Sequence, residues 1–273
     1  MKVALGQINM VWEDKKASLV KAEEMVKEAA AAEADIIIFP EMSLTGFSMA
    51  IDKIGEDETA PESVIAMGKL AIQNNIAIGF GWAALPSSGS TKGTNRFTVI
   101  GNDGNIITEY KKIHPFTYGG ESEVYESGSN IVIAPFAGHI ISLFICYDLR
   151  FPELFQIASQ KADVIIVIAD WPAIRSAHWT TLIRARAIET QSYVVGVNCY
   201  GTHNGESCGG GSLAVDSIGN ILGQMSGREG VLICDIDNRA WSLRNKFNTR
   251  KDRKTEFYIK EYLGLTGREN INL

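Results

Sequence analysis

The 273-residue chain is poor in the groups that announce a metal centre or a disulfide scaffold. It has four cysteines, Cys146, Cys199, Cys208 and Cys234, with no C-x-x-C pair, and four histidines, His114, His139, His178 and His203, with no H-x-x-x-H pair. Neither set carries paired metal-ligand spacing, and so few thiols exclude a disulfide framework and suit a reducing cytoplasm. No apolar run approaches the roughly 18 residues a spanning helix needs, so no membrane partner is expected. The start, Met-Lys-Val-Ala-Leu-Gly-Gln, runs straight into a strand pattern without a signal-peptide layout. Positive charge is in deficit: 26 Lys and Arg against 32 Asp and Glu leave a net charge of −6, which argues against nucleic acid. Only seven prolines are present, and the loop at 87–93 is too short and too internal to separate domains. One domain over 1–273 is therefore expected, with a charged C-terminal tail from about 244.

What is present is a steady alternation of strand and helix patterns, with 45% hydrophobic residues to fill a core. Strands are predicted at 3–9, 35–39, 76–82, 96–101, 105–111, 131–134, 139–145, 163–169, 193–199 and 230–235, with helices at 16–33, 59–74, 152–160 and 175–190. Thr59-Ala-Pro-Glu62 reads as a capping box and Pro152 as a helix opener. Asn102-Asp-Gly104 marks a hairpin, and 213–222 repeats its logic. That echo predicts two sheet-and-helix halves packed face to face, an α/β fold of mixed sheets covered by helices. Cys199 lies in an apolar strand and reads as core; Cys208, in a Gly-rich stretch, reads as a candidate for exposure.

Three of the predicted strands end on residues suited to one chemistry. The run 139–145 stops at Cys146, the run 35–39 stops at Pro40 and Glu41, and the run 105–111 leads to Lys112 and His114. Carboxyl ends of strands are where α/β sheets bind ligands. Thiolate is the nucleophilic form of cysteine and needs a base or a cation beside it. A carboxylate can be that base, and an ammonium can hold the oxyanion formed when sulfur attacks a carbonyl.

Phe39-Pro-Glu41-Met-Ser-Leu-Thr-Gly-Phe47, Tyr110-Lys-Lys112-Ile-His114 and Cys146-Tyr-Asp-Leu-Arg-Phe-Pro-Glu153 resemble, in order, the three signature segments of the nitrilase superfamily of carbon–nitrogen hydrolases. The resemblance implies the four-layer α-β-β-α sandwich of that family, Glu41 as general base, Lys112 as oxyanion-stabilising cation and Cys146 as nucleophile. It implies a second glutamate after the lysine, for which Glu121 stands at the matching place with Glu123 and Glu126 as competitors. It departs from the family pattern at Pro115, close to the loop that carries Glu121. The stretches 95–97, 169–179, 185–193 and 209–212 look like bacterial omega-amidases, which hydrolyse the terminal amide of 2-oxo acids.

On that resemblance the chain is a cysteine-dependent amidase acting through a thioester, with no metal and no organic cofactor. The N–H of Tyr147 joins Lys112 at the oxyanion, and Phe47 and Trp171 shape an apolar wall. Arg175 and Arg150 are candidates for a substrate carboxylate, Arg150 reading equally as an ion-pair partner of Glu153 or Asp148. The partner is a small-molecule amide. A homodimer or higher homo-oligomer is expected, with Phe151, Leu154, Phe155 and Ile157 as too much apolar surface for one short helix to bury. Deaminated glutathione or an N-carbamoyl amino acid remains open as substrate, as does a catalytically silent binding protein on the same fold.

Overall fold

A computed structural model describes residues 1–266; the last part of the expected domain, 267–273, lies outside the described residues. The first half runs β1 (Lys2–Gln7), α1 (Lys15–Ala31), β2 (Ile36–Ile38), α2 (Ile51–Ile54), α3 (Glu62–Asn74), β3 (Ala77–Ala84), β4 (Thr94–Ile100) and β5 (Ile106–Lys111). After α4 (Glu121–Val124) come β6 (Ala134–Phe136), β7 (His139–Ile145), α5 (Pro152–Ala158), β8 (Val164–Ala169), α6 (Ser176–Thr190) and β9 (Tyr193–Asn198). The chain continues through β10 (Tyr200–His203), β11 (Glu206–Val215), β12 (Ile221–Ser226), β13 (Gly230–Asp235), α7 (Arg239–Lys246) and α8 (Thr255–Thr266).

Two sheets result, one in the order β13-β1-β2-β3-β4-β5, the other β10-β11-β9-β8-β7-β6 with β12 on β11. The predicted echo is real. In one half β1, β2 and β3 are parallel and the hairpin β4–β5 follows antiparallel; in the other β7, β8 and β9 are parallel and β11–β12 follows. Strand alternation sorts the residues. Val3, Leu5, Ile36 and Ile38 face the second sheet in one core, while Ala4, Ile37 and Ile78 face α1 and α3 in another. β8, Val-Ile-Ile-Val-Ile-Ala, is buried throughout, as a central parallel strand covered on both faces must be. With α5 and α6 on the far side of the second sheet, the architecture is the four-layer α-β-β-α sandwich.

Local rules explain the helix ends, with two corrections. Asp14 caps α1 by accepting from the Ala17 N–H, and Pro152 opens α5. The capping box at Thr59 does not form. Thr59 donates to Asp57, while Glu56, further upstream, caps α3 by accepting from the Ser63 N–H at 2.8 Å. The charge-rich segment from 244 does not begin as a free tail. Arg244 is buried in α7 and donates to the carbonyls of Gln191 and Ala162, each at 2.9 Å. Its charge is used to satisfy carbonyls left open beyond the ends of α5 and α6, which a charge count along the chain cannot reveal. α8 lies exposed beyond it.

Candidate active site

Glu41, Lys112 and Cys146 each sit just past a strand, on two different sheets, and meet where the sheets face one another. After β2, Pro40 halts the ladder and the chain turns tightly. The Ser43 hydroxyl donates to the Pro40 carbonyl at 2.5 Å and accepts from the Gly81 N–H at 3.0 Å. Gly81 is required here: a Cβ would stand 2.5 Å from the Met42 nitrogen and 2.8 Å from the Glu41 Cα. Lys112 follows β5 directly and its N–H donates to the Asn95 carbonyl at 2.9 Å. Cys146 follows β7 with a φ of 47°, a left-handed conformation that a side chain adopts only when its surroundings impose it.

The three are joined by Glu121 in a buried charge cluster. Lys112 Nζ donates to Glu41 Oε1 at 2.8 Å and to Glu121 Oε2 at 2.7 Å. Asn95 Nδ2 bridges the same carboxylates, 2.7 Å from Glu41 Oε1 and 2.9 Å from Glu121 Oε1. The Asp170 N–H donates to Glu41 Oε2 at 3.1 Å, and the Phe116 N–H to Glu121 Oε2 at 2.5 Å. Burial holds the Glu41 carboxyl above the usual carboxylate range, against the pull of Lys112. Burial also opposes the charge of Lys112, but Glu121 and Glu41 outweigh it and keep the ammonium protonated. Burial, then the nearby Glu41 charge, pushes the Cys146 thiol well above its ordinary range. The cluster therefore rests as a neutral thiol beside a carboxylate able to take its proton, with a fixed ammonium alongside.

The turn carrying Cys146 is braced by residues that no sequence signal marked as functional. Asp148 is fully buried and accepts from the Tyr110 hydroxyl (2.8 Å), the Ile145 N–H (3.1 Å), the His114 N–H (2.9 Å) and His114 Nδ1 (2.9 Å). It thereby ties the turn after β7 to the end of β5. Arg186 of α6 donates to the Leu149 carbonyl from Nε and Nη2, at 3.1 and 2.7 Å. The bridging amide of Asn95 was also missed as a site residue; the Asn95–Phe97 stretch was noticeable only through resemblance.

A cleft opens over Cys146, lined by Phe47, Phe116, Tyr147, Trp171, Arg150 and Arg175 among others. The expected wall residues Phe47, Tyr147 and Trp171 all face it, and Phe47 lies 5.2 Å under the Lys112 ammonium. Of the three candidate glutamates only Glu121 reaches the cluster: Glu123 is exposed and Glu126 accepts from Ser90 instead. Arg150 forms no ion pair with Glu153 or Asp148; it stacks over the Trp171 ring at 5.1 Å. Arg175 stacks over Phe116 at 5.7 Å. Among the described residues neither guanidinium is in an ion pair, so both are available to an anion in the cleft.

Comparison with known proteins agrees with this geometry. The omega-amidase YafV of Yersinia enterocolitica is 34% identical over 225 residues, 82% of this chain and 84% of that protein. A 2-oxoglutaramate amidase of Bacillus subtilis is 32% identical over 220 residues, 80% of this chain and 84% of that one. The crystal structure of a CN-hydrolase superfamily protein from Xanthomonas campestris superposes with a TM-score of 0.86 at 28% identity, covering 93% of this chain and 97% of that one. An amidase from Nesterenkonia, at 21% identity and a TM-score of 0.86, shares the fold. The carbon–nitrogen hydrolase family itself matches residues 2–245, so the chain belongs to that family and is a hydrolase of carbon–nitrogen bonds in linear amides.

Proposed function

We propose that the protein is an omega-amidase, releasing ammonia from the terminal amide of a small 2-oxo dicarboxylic acid. The observation that carries the substrate class is the pair of guanidiniums, Arg150 and Arg175, lining the cleft over Cys146 with no carboxylate partner among the described residues. A planar cation fork matches a carboxylate, and the named activities of the relatives in Yersinia and Bacillus point the same way.

Glu41 takes the thiol proton as Cys146 Sγ attacks the amide carbon. Lys112 and the Tyr147 N–H hold the oxyanion. The tetrahedral adduct collapses as protonated Glu41 gives its proton to the leaving nitrogen, and ammonia departs from a thioester. Water then enters, Glu41 removes its proton, and the C–S bond breaks to return the acid and the thiol. Glu121 keeps Lys112 and Asn95 aligned through both halves.

The test is a substrate panel with continuous ammonia detection, including 2-oxoglutaramate, 2-oxosuccinamate, deaminated glutathione, an N-carbamoyl amino acid and an uncharged short amide. The 2-oxo amides should lead in kcat/KM; preference for the uncharged amide refutes the substrate assignment. Cys146→Ala should abolish turnover with the fold intact, and mass spectrometry during turnover should find the acyl adduct only on the Cys146 peptide. Retained turnover refutes the nucleophile.

A cytoplasmic homodimer is part of the same proposal, on altered grounds. Phe155 is fully buried and Leu154 nearly so, because α5 packs them under the second sheet. The expected apolar excess on α5 thus shrinks to Ile157, 60% exposed, with Ile174 on the loop before α6 at 88%. Light scattering should give at least twice the chain mass, and Ile157→Glu, not a change at Phe155, is the variant that tests the contact.

A further inference from the structure

Behind the cleft wall four side chains converge that the reaction does not use. Asp170 follows β8, Cys199 precedes β10, His203 ends it and Cys208 lies on β11. One ligand-type atom from each falls within 4.8 Å of all the others. The Asn204-Gly205 turn, at φ of 49° and 83°, closes the β10–β11 hairpin. Its register sets Gly201 opposite Cys208 and His203 opposite Glu206. The hairpin thereby supplies three of the four groups, in a C-x3-H-x4-C pattern. Cys208 is buried rather than exposed, since β11 runs through the Gly-rich stretch and covers it.

Two independent facts mark this as more than packed core. His203 is 3% exposed, yet neither ring nitrogen has a hydrogen-bond partner. A neutral imidazole carries one donor and one acceptor, and leaving both buried and unused is costly. Asp170 is an acid of which only 9% is exposed, with no cation beside it among the described residues. Its Oδ1 instead accepts from both thiols, Cys199 Sγ at 3.2 Å and Cys208 Sγ at 2.9 Å, and its Oδ2 lies 3.8 Å from His203 Nδ1.

We propose that Asp170, Cys199, His203 and Cys208 form a structural zinc site. Tetrahedral zinc bound by two thiolates, an imidazole nitrogen and a carboxylate oxygen has ligand–ligand edges of about 3.2–3.8 Å, so the four groups, already within 4.8 Å of one another, need only draw in slightly around the ion. Binding replaces the two S–H···O contacts: both thiols release a proton, two Zn–S bonds form, and one His203 nitrogen and Asp170 complete the shell. Four protein ligands leave no open position, which makes the site structural rather than catalytic. Its place gives it work. The Asp170 N–H donates to Glu41, and Asp170 Oδ2 accepts from the Phe47 N–H at 3.1 Å. A metal there clamps the β10–β11 hairpin, whose Glu206 lines the cleft, to the strand end that positions Glu41. The assignment departs from the sequence expectation of no metal and stands independently of the substrate.

Tag-free protein, purified and equilibrated with zinc under reducing conditions and then desalted, should hold about one zinc per chain by elemental mass spectrometry, as a closed four-ligand site requires. Cobalt(II) in its place should give the visible absorption of a tetrahedral thiolate complex. Cys208→Ser and His203→Gln, checked for fold by circular dichroism, should lose the zinc and the cobalt spectrum, while Cys234→Ser should keep both. Chelation should lower the Tm of the wild type but not of Cys208→Ser. Wild-type protein that takes up no zinc and gives no cobalt–thiolate spectrum overturns the proposal without recourse to any variant. So does a Cys199–Cys208 disulfide that persists under reducing conditions, or zinc retained by both ligand variants.

Discussion

Replacing Asp148 with asparagine keeps the shape of the side chain and removes one of its two accepting oxygens. Four donors converge on that carboxylate, two on Oδ1 from His114 and two on Oδ2 from Tyr110 and Ile145. The least damaging rotamer keeps the oxygen towards His114 and turns the amide NH2 towards Tyr110, whose hydroxyl can rotate to accept. The Ile145 N–H then faces another donor and stays buried and unpaired, at about 1–3 kcal/mol. Three further bonds fall from charged to neutral, at roughly 0.5–1 kcal/mol each. The sum is about 2.5–6 kcal/mol, or a Tm lower by roughly 5–24 °C for a chain of this size. Turnover should suffer separately, because a shift of about 1 Å in the Cys146 turn costs on the order of 100-fold in kcat. Asp163→Asn is the matched control. Asp163 accepts from His139 Nδ1 and the Ile140 N–H, both at 2.7 Å, at the opposite end of β7. Thermal melts and steady-state kinetics well below either Tm separate the two effects. Both variants should lose stability, and only Asp148→Asn should lose kcat. Equal kcat in the two would refute the bracing role.

Glu41→Gln and Lys112→Met should each lower kcat by on the order of 100-fold or more in the ammonia assay, and Glu121→Gln should do so while Glu123→Gln stays near wild type. Arg175→Ala should raise KM for a 2-oxo acid amide more than for an uncharged amide, and Arg150→Ala should now do the same, since it faces the cleft; equal effects on both substrates would assign the arginines to structure. The pH profile follows from the buried cluster. Protonated Glu41 cannot accept the thiol proton and its pKa is raised, so kcat/KM should fall on acidification at a pH above the usual carboxylate range. Lys112 and Cys146 are both shifted upward, so activity should persist through pH ~8.5, where an ordinary thiol ionises; a loss centred there would contradict the neutral-thiol resting state.

The legible part of this molecule was the part written in short range. Glu41, Lys112 and Cys146 could be picked out because each stands just past an apolar strand, and the two hairpin turns betrayed the repeated half. Asn95, Asp148 and Arg186 could not, because their importance lies in partners 26 to 54, 34 to 38 and 37 residues away, respectively. Arg150 stood between two readings for the same reason: nearby acids in sequence suggest an ion pair, while the turn of the chain aims it at Trp171. β10 and the first part of β11 hid in glycines and a Thr-His-Asn-Gly stretch that carries little strand propensity. Arg244 looked like surface charge and is a cap.

The seam between the sheets is mostly apolar, formed by side chains such as Val3, Leu5, Leu143 and Ile166, and the force that closes it is non-directional. The polar ties that cross it gather near the chemistry: Tyr110 to Asp148, Asp170 to Glu41, and Gln7 to the Ser212 N–H at 2.9 Å. The reacting groups are thus divided between two bodies, with the base and the ammonium on one and the thiol on the other. Inactivation and unfolding are therefore separable events. A parting of the halves by about 1 Å, too small to break either ladder, is enough to draw the thiol away from its base.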